Sequence, residues 1–353
     1  MNKSEVFSIG LMSGTSLDGI DLVYVKFNKN NYKDFEIIYA ETISYADDWK
    51  KKLQNGIHFS KDELTKLNID YGYLLGDVLN DFISKFQIKK IDFIASHGHT
   101  ILHQPEKGIT LQVGDGQIIA DKTKQKVICD FRTQDVQLGG QGAPLVPIGD
   151  ELLFSEYDYC LNLGGFANIS YKKENKRIAF DICAVNIVLN KYAEQLGFNY
   201  DDEGKIAASG TFLMQLEADL RMLDFYQQKP PKSLGLEWVE KEIFPKLESS
   251  KRKPEDLLKT FTDHIAWAIA KPIHKGAKVL LTGGGTYNKY LISKIKTFKN
   301  IEIIIPNKEF IEFKEALIFA FLGLLKLENQ VNCLKSVTGA SENHSSGKIY
   351  YPK

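Results

Sequence analysis

Residues 10–21 read Gly-Leu-Met-Ser-Gly-Thr-Ser-Leu-Asp-Gly-Ile-Asp, with three glycines and three hydroxyl side chains between Gly10 and Gly19. β-prone Val6–Ile9 precedes this segment, and the alternating, β-branched and aromatic Ile20–Phe27 follows it. The chain therefore begins as strand, glycine turn, strand, with a third strand expected at 35–40. No GxxxxGK[ST] motif is present, and a strand rather than a helix follows the turn, so this is not a Walker A loop. Two readings stand. Glycine amides with nearby hydroxyls make a cradle for anionic oxygens, beside which Asp18 or Asp21 holds Mg²⁺ directly or through water. The other reading is a plain hairpin turn.

The rest of the chain alternates helical and strand patterns, which implies an α/β fold with a substantially parallel or mixed sheet. Residues 62–86 space their apolar positions as an amphipathic helix. Residues 91–95 read as a short buried strand ending at Ser96-His97-Gly98. A second strand–turn–strand unit starts at Tyr159, turns at Gly164-Gly165, and ends in a strand that stops at Asp181. It echoes residues 6–40 in architecture, and both duplication and chance explain the echo. Helices are expected at 187–196, 211–226, 256–273, from about 288, and at 313–327. An apolar strand at 278–282 runs into Gly283-Gly284-Gly285. The Ser-, Gly- and Asn-rich tail from Gly339 reads as irregular.

At roughly 150 residues per domain, 353 residues suggest two domains. Lys+Arg and Asp+Glu are each 45, so the formal net charge is zero, which argues against a nucleic-acid backbone as the main partner. The four cysteines form no CxxC pair, so neither a zinc ribbon nor a thioredoxin-type site is expected. The start lacks the pattern of a signal peptide, and the ten-residue apolar run 316–325 is too short to span a membrane. The expectation is a soluble cytoplasmic protein.

Four further segments carry chemistry. The Gly283–Gly285 triplet after a strand is either a nucleotide-compatible turn or simply a tight one. His97, His99 and His103 form an HxHxxxH pattern. At a strand end such a pattern serves a metallohydrolase if later strands add ligands; otherwise His97 contacts substrate or is structural. Arg132 either forks onto a carboxylate or phosphate or pairs with an aspartate. Asp181 suits a general base or caps the following helix.

Together, GLMSGTSLDGID (10–21), SHGHT (96–100), TLQVGDG (110–116), DFRTQDVQLGGQGAPLVP (130–147), NLGGFAN (162–168), PPKSLGLE (230–237), TGGGTYN (282–288) and SVTGA (336–340) resemble the anhydro-N-acetylmuramic acid kinase family, in family order along nearly the whole chain. The resemblance implies a two-domain, actin-like ATPase fold (a duplicated ribonuclease H-like unit) with a nucleotide cleft between domains. Domain I is then 1–135 plus about 333–353, carrying the phosphate loop and sugar-binding segments. Domain II is 136–332, carrying the base and the glycine-rich nucleotide turn.

The implied reaction opens the 1,6-anhydro ring of 1,6-anhydro-N-acetylmuramic acid with water and phosphorylates O6 from ATP, giving N-acetylmuramic acid 6-phosphate in peptidoglycan recycling. Carried over residue by residue, Asp181 is the base. Gly14, Thr15, Ser16, Leu17, Asp18, Gly19, Ile20 and Asp21, with Gly283, Gly284 and Gly285, hold ATP. Asp18 serves Mg²⁺. Ser96, His97, Asp115, Arg132, Asn186 and Glu315 serve the sugar. The family also suggests a homodimer.

This chain departs from the family pattern in three places. The base motif, D-T-G-P-G-N in the family, here reads Asp-Ile-Cys-Ala-Val-Asn (181–186). HGQT reads HGHT, with His99 for Gln. PKSTGRE reads PKSLGLE, with Leu234 and Leu236 for Thr and Arg. The alternatives are a kinase of a related anhydrosugar, a His97/His99 metallohydrolase, and an actin-type nucleotide switch.

Overall fold

The computed structural model describes residues 4–14 and 17–353. Thr15 and Ser16 of the glycine turn lie outside the described residues. The chain divides into two compact units, Met1–Leu153 with Phe313–Lys353, and Phe154–Glu312. These boundaries differ from the expected 135/136 and about 332/333. The difference has a packing origin, because helix Pro147–Leu152 and most of helix Lys308–Leu327 belong with the first sheet.

The first unit holds strands β1 (Glu5–Ser13), β2 (Ile20–Asn28), β3 (Phe35–Ile43), β4 (Phe93–Gln104), β5 (Ile109–Val113) and β6 (Val127–Cys129). β1, β2 and β3 form an antiparallel meander. β4 lies parallel to β1, and β6 parallel to β4. Alternation splits β1 between two layers. Ile9 and Leu11 join a core with Tyr71, Leu75 and Phe82 of helix Lys61–Lys85. Gly10 faces the other way, onto helix Lys308–Leu327. The first helix opens on a Ser60/Glu63 capping box. The second is apolar all round only over Ala316–Leu325, the segment that is buried on every side. No described helix is long and apolar enough to cross a membrane.

The second unit contains β7 (Tyr159–Leu163), β8 (Phe166–Lys173), β9 (Lys176–Ala184), β10 (Lys278–Thr282) and β11 (Glu302–Ile304). β7–β8–β9 is again an antiparallel meander, with β10 parallel to β7 and β11 parallel to β10. Helix Pro254–Ala270 contributes Leu258, Phe261 and Ile265 to this core. The orders β3-β2-β1-β4-β6 and β9-β8-β7-β10-β11 are the same plan. The echo is therefore a duplication of topology, and the fold is the duplicated ribonuclease H-like architecture of actin-like ATPases.

Three local expectations are corrected. β4 does not stop at residue 95 but runs through the histidines to Gln104. The segment expected as one helix over 211–226 is helix Met214–Arg221 followed by a short 3₁₀ turn, Asp224–Gln227. The tail is irregular as expected except at β12 (Lys348–Tyr350), which adds an antiparallel edge strand to β6.

The Gly10 contact is a direct test of this packing. A Cβ at residue 10 would collide with the Ala316 carbonyl oxygen and sit 2.9 Å from Ala320 Cβ. Gly10→Ala is expected to cost at least about 1–3 kcal/mol, read as a lower urea midpoint at unchanged m-value.

Candidate active site

In the second unit the site is built where parallel strands end. β7 and β10 pair Asn162 with Thr282 at their carboxyl ends, the place where open α/β sheets receive ligands. Gly283 there has φ +85°, and a Cβ on it would lie 2.7 Å from both Asn162 Oδ1 and the Leu163 carbonyl. A Cβ on Gly285 would lie 2.7 Å from Leu163 Cβ. The two glycine turns, 164–165 and 283–285, thus close on one another through Leu163. Gly284 is exposed, and a Cβ on it would meet only Asn186 Nδ2, at 3.8 Å. Asn186, expected with the sugar residues, stands at this turn, with Nδ2 3.5 Å from the Leu163 carbonyl.

Asp181 lies inside β9 rather than at its end, because apolar Ile182, Cys183 and Ala184 carry the strand onward into the core. It pairs with Asn168 at a register shift, beyond which Cys183 faces Ala167. The capping reading fails: Val185 caps helix Asn186–Glu194, and no side chain assists. Residues 232–234 run alongside Asp181. Its amide donates to the Lys232 carbonyl (3.0 Å), and its Oδ2 accepts from the Leu234 amide (2.9 Å). Burial raises the carboxyl above the ordinary aspartate range, and the Leu234 amide partly opposes this. Sequence reasoning found PKSLGLE as a segment but not this contact, since no spacing relates residue 234 to residue 181.

In the first unit, Ser96 and the histidines lie within β4. Gly98 at φ +71° and a register shift between Leu11 and Ser13 break the alternation. His97 and His99 consequently serve different neighbours. His97 Nε2 accepts from Arg132 Nε (3.0 Å), and its ring packs 4.6 Å from Phe319. His99 Nδ1 is 3.0 Å from Ser13 Oγ, which Tyr71 also reaches at 2.8 Å. Burial depresses both imidazoles, His99 to about 4, so both are neutral. The buried Ser96 hydroxyl accepts from the Gly98 amide (3.2 Å). Among the described residues, the side chains grouped as a possible metal site are Asp135, Cys333 and His344. His97 and His99 are not gathered into one.

Arg132 Nη1 donates to the Gly142 carbonyl (2.6 Å), so the guanidinium joins β4 to the GGQG loop instead of forming the simple Arg–Asp pair. Burial lowers its pKa to about 10, opposed mainly by Glu315. Glu315 is solvent-accessible yet crowded. Desolvation pushes its carboxyl up, and Arg132 pulls it back. Asp115 caps helix Gly116–Thr123, its Oδ1 accepting from the Gln117 and Ile118 amides (3.0 Å each). Asp115 and His97 line one cavity of about 180 Å³ with Asn68, Gln112, Asp130 and Thr133. At the hairpin, β1 and β2 pair to Ser13 and Ile20, Leu17 has φ +60°, and Asp18 is exposed. Asp21 Oδ1 accepts from Thr42 Oγ1 (2.6 Å).

The anhydro-N-acetylmuramic acid kinase family profile matches residues 6–352. The chain belongs to that family. An anhydro-N-acetylmuramic acid kinase of Francisella tularensis subsp. novicida is 33% identical over 98% of both chains. One of Bacillus cereus (strain AH187) is 31% identical over 98% of this chain and all of the relative. Among solved structures, the activator of the 2-hydroxyisocaproyl-CoA dehydratase from Clostridium difficile with bound ADPNP aligns over 92% of this chain and 97% of its own, at 15% identity and a TM-score of 0.45. Membership in the anhydro-N-acetylmuramic acid kinase family makes this chain a sugar kinase, a phosphotransferase.

Arg132 offers a test of the first unit's geometry. Arg132→Lys keeps the charge but loses the fork that serves His97 Nε2 and the Gly142 carbonyl together. It is expected to lower stability by about 1–3 kcal/mol, because buried acceptors lose their donors, measured by urea unfolding.

Proposed function

We propose that this kinase acts on 1,6-anhydro-N-acetylmuramic acid, adding water at C1 and the γ-phosphoryl group of ATP at O6. The observation that carries the mechanism is Asp181, a half-buried carboxylate with a raised pKa, held by the backbone at 232–234. The substrate's O6 is an ether oxygen and offers no proton to remove, so the base acts on water. Asp181 takes one proton as the water oxygen bonds to C1. The C1–O6 bond breaks, and O6 takes the phosphoryl group as ADP leaves. Positioning and fixed electrostatics supply most of the rate, as in phosphoryl transfer generally.

The amides of Gly14–Asp21 and the exposed Gly284 backbone are the proposed ATP-holding groups. Asp18 fits Mg²⁺ as an exposed hard oxygen donor at the hairpin tip, and the ion would neutralise phosphate charge. Ser96, His97, Asp115, Arg132 and Glu315 are the proposed sugar-side residues. Asp115 and His97 are already gathered around one cavity. Cytoplasmic location and a homodimer complete the reading, both supported by the family alone.

Asp181→Asn is expected to lower turnover of anhydro-N-acetylmuramic acid by about 10²–10⁴-fold, followed by coupled ADP release. Near wild-type turnover would remove Asp181 from the role of base. In H₂¹⁸O the label should enter the C1 hydroxyl and not the phosphate, read by mass spectrometry of the product.

The raised pKa adds a pH signature. Asp181 must be ionised to act, so kcat/KM should fall on acidification with a midpoint above the ordinary aspartate range. The stability sign is opposite to that of an ion-paired aspartate. The fold binds this proton more tightly than the unfolded chain, so Asp181 costs stability as pH rises from its unfolded to its folded pKa. Asp181→Asn should therefore keep or raise the melting temperature at pH 7 while activity falls, measured by calorimetry on the same samples.

A further inference from the structure

We propose that Asp135, Cys333 and His344 form a binding site for a zinc ion in the first unit, separate from the residues assigned to ATP and sugar. The three side chains are 0%, 1% and 6% exposed, and their donor atoms all lie within 4.8 Å of one another. Cys333 Sγ is 3.0 Å and His344 Nε2 3.5 Å from Asp135 Oδ1. Tetrahedral zinc with bonds of about 2.0–2.3 Å places its donor atoms about 3.3–3.7 Å apart, so little movement is needed. The scaffold is fixed. Cys333 and His344 sit opposite one another, joined by two backbone hydrogen bonds of 3.1 and 3.2 Å, and Asp135 lies in helix Thr133–Gln137.

The decisive observation is the histidine. His344 Nδ1 lies 3.2 Å from the Glu342 carbonyl. A carbonyl only accepts, so Nδ1 carries the proton. In the neutral ring Nε2 carries a lone pair, buried and without a hydrogen-bond partner, and it points at a carboxylate oxygen. The two atoms stand 3.5 Å apart, a gap that a ring proton closes as an ion pair and that a bound cation closes as a metal site. An imidazole held at one nitrogen by a carbonyl and open at the other is the orientation that metal-bound histidines adopt. Sulfur, nitrogen and oxygen donors together suit zinc, with a fourth position left for water.

The charges also balance. Carboxylate, thiolate and neutral imidazole around Zn²⁺ sum to zero, which a buried site requires. Without metal, the Cys333 thiol donates its proton to a hydrogen bond with Asp135 Oδ1. On binding, zinc replaces that proton, which passes to solvent.

The test reads metal, not kinase activity, so it stands apart from the proposed function. The full chain is stripped with chelator, given one equivalent of Zn²⁺, desalted and analysed for metal. About one zinc per chain is expected in the wild type, and at least tenfold less in Cys333→Ser and His344→Gln. Cobalt is the check that needs no variant. Wild-type protein titrated with Co²⁺ should show a thiolate-to-cobalt charge-transfer absorption, reaching its plateau near one equivalent. Zinc retention below a tenth of an equivalent, equal retention by Cys333→Ser, or a cobalt complex with no thiolate band would each overturn the site.

Discussion

The first unit is organised around one buried carboxylate. Asp135 has no exposed surface and accepts from the Gly142 amide (2.7 Å), the Thr338 hydroxyl (2.7 Å) and the Cys333 thiol (3.0 Å). A carboxylate without water needs such donors, since removing it from solvent otherwise costs several kcal/mol. Satisfying it ties helix Thr133–Gln137 and the adjoining GGQG loop to the distant segment around Cys333 and Thr338. The fit is tight enough that a Cβ on Gly140 would overlap Asp135 Oδ2. Arg132, just before this helix, is aimed by the same arrangement, because its second acceptor, the Gly142 carbonyl, is held from the other side by Asp135. Arg132, proposed above to serve the sugar, is therefore placed by a carboxylate outside the proposed sugar-side set.

The second unit reaches a comparable result by omitting side chains. Gly283 and Gly285 fold back onto Leu163, where any Cβ would come within 2.7 Å of its neighbours. The ends of β7 and β10 are consequently sealed by backbone, and Gly284 remains exposed. A glycine turn in this position is a consequence of parallel register, Asn162 beside Thr282, as much as of local sequence.

The parts legible in the sequence were those governed by short-range rules. Strand alternation in 20–27, the helical apolar spacing over 62–86 and the apolar 278–282 run each announce their element. The glycine turns and Asp181, the proposed base, stand in recognisable motifs. What escaped were contacts with no sequence period. Leu234 lies on Asp181 through a main-chain amide, which any residue but proline supplies. The His97–Arg132 bond and the Ser13–His99–Tyr71 cluster join residues 35 to 86 positions apart. The contacts that fix the tail escaped for a related reason. Its Ser and Asn composition reads as irregular, yet those polar groups order it. Ser346 donates through its amide to Asn332 Oδ1 (2.6 Å) and through its hydroxyl to the Phe131 carbonyl (2.7 Å).

The electrostatics then separate two carboxyls that sequence alone treats alike. Desolvation raises both Asp181 and Glu315. At Glu315 the opposing influences are full charges, Arg132 and then Lys314. These favour its anion, which suits a group that pairs or orients. At Asp181 the opposing influence is one neutral amide from Leu234. Lys232, next to it in the strap, sends its ammonium to the Phe225 carbonyl instead (2.9 Å). A base must gain a proton readily during the reaction, and a nearby ammonium or guanidinium would oppose that gain. Of the two desolvated carboxyls, the one restrained by an amide rather than by cations has the environment for proton abstraction. The strap at 232–234 thus does more than support β9: it supplies a hydrogen bond that orients the carboxylate while leaving its affinity for a proton high.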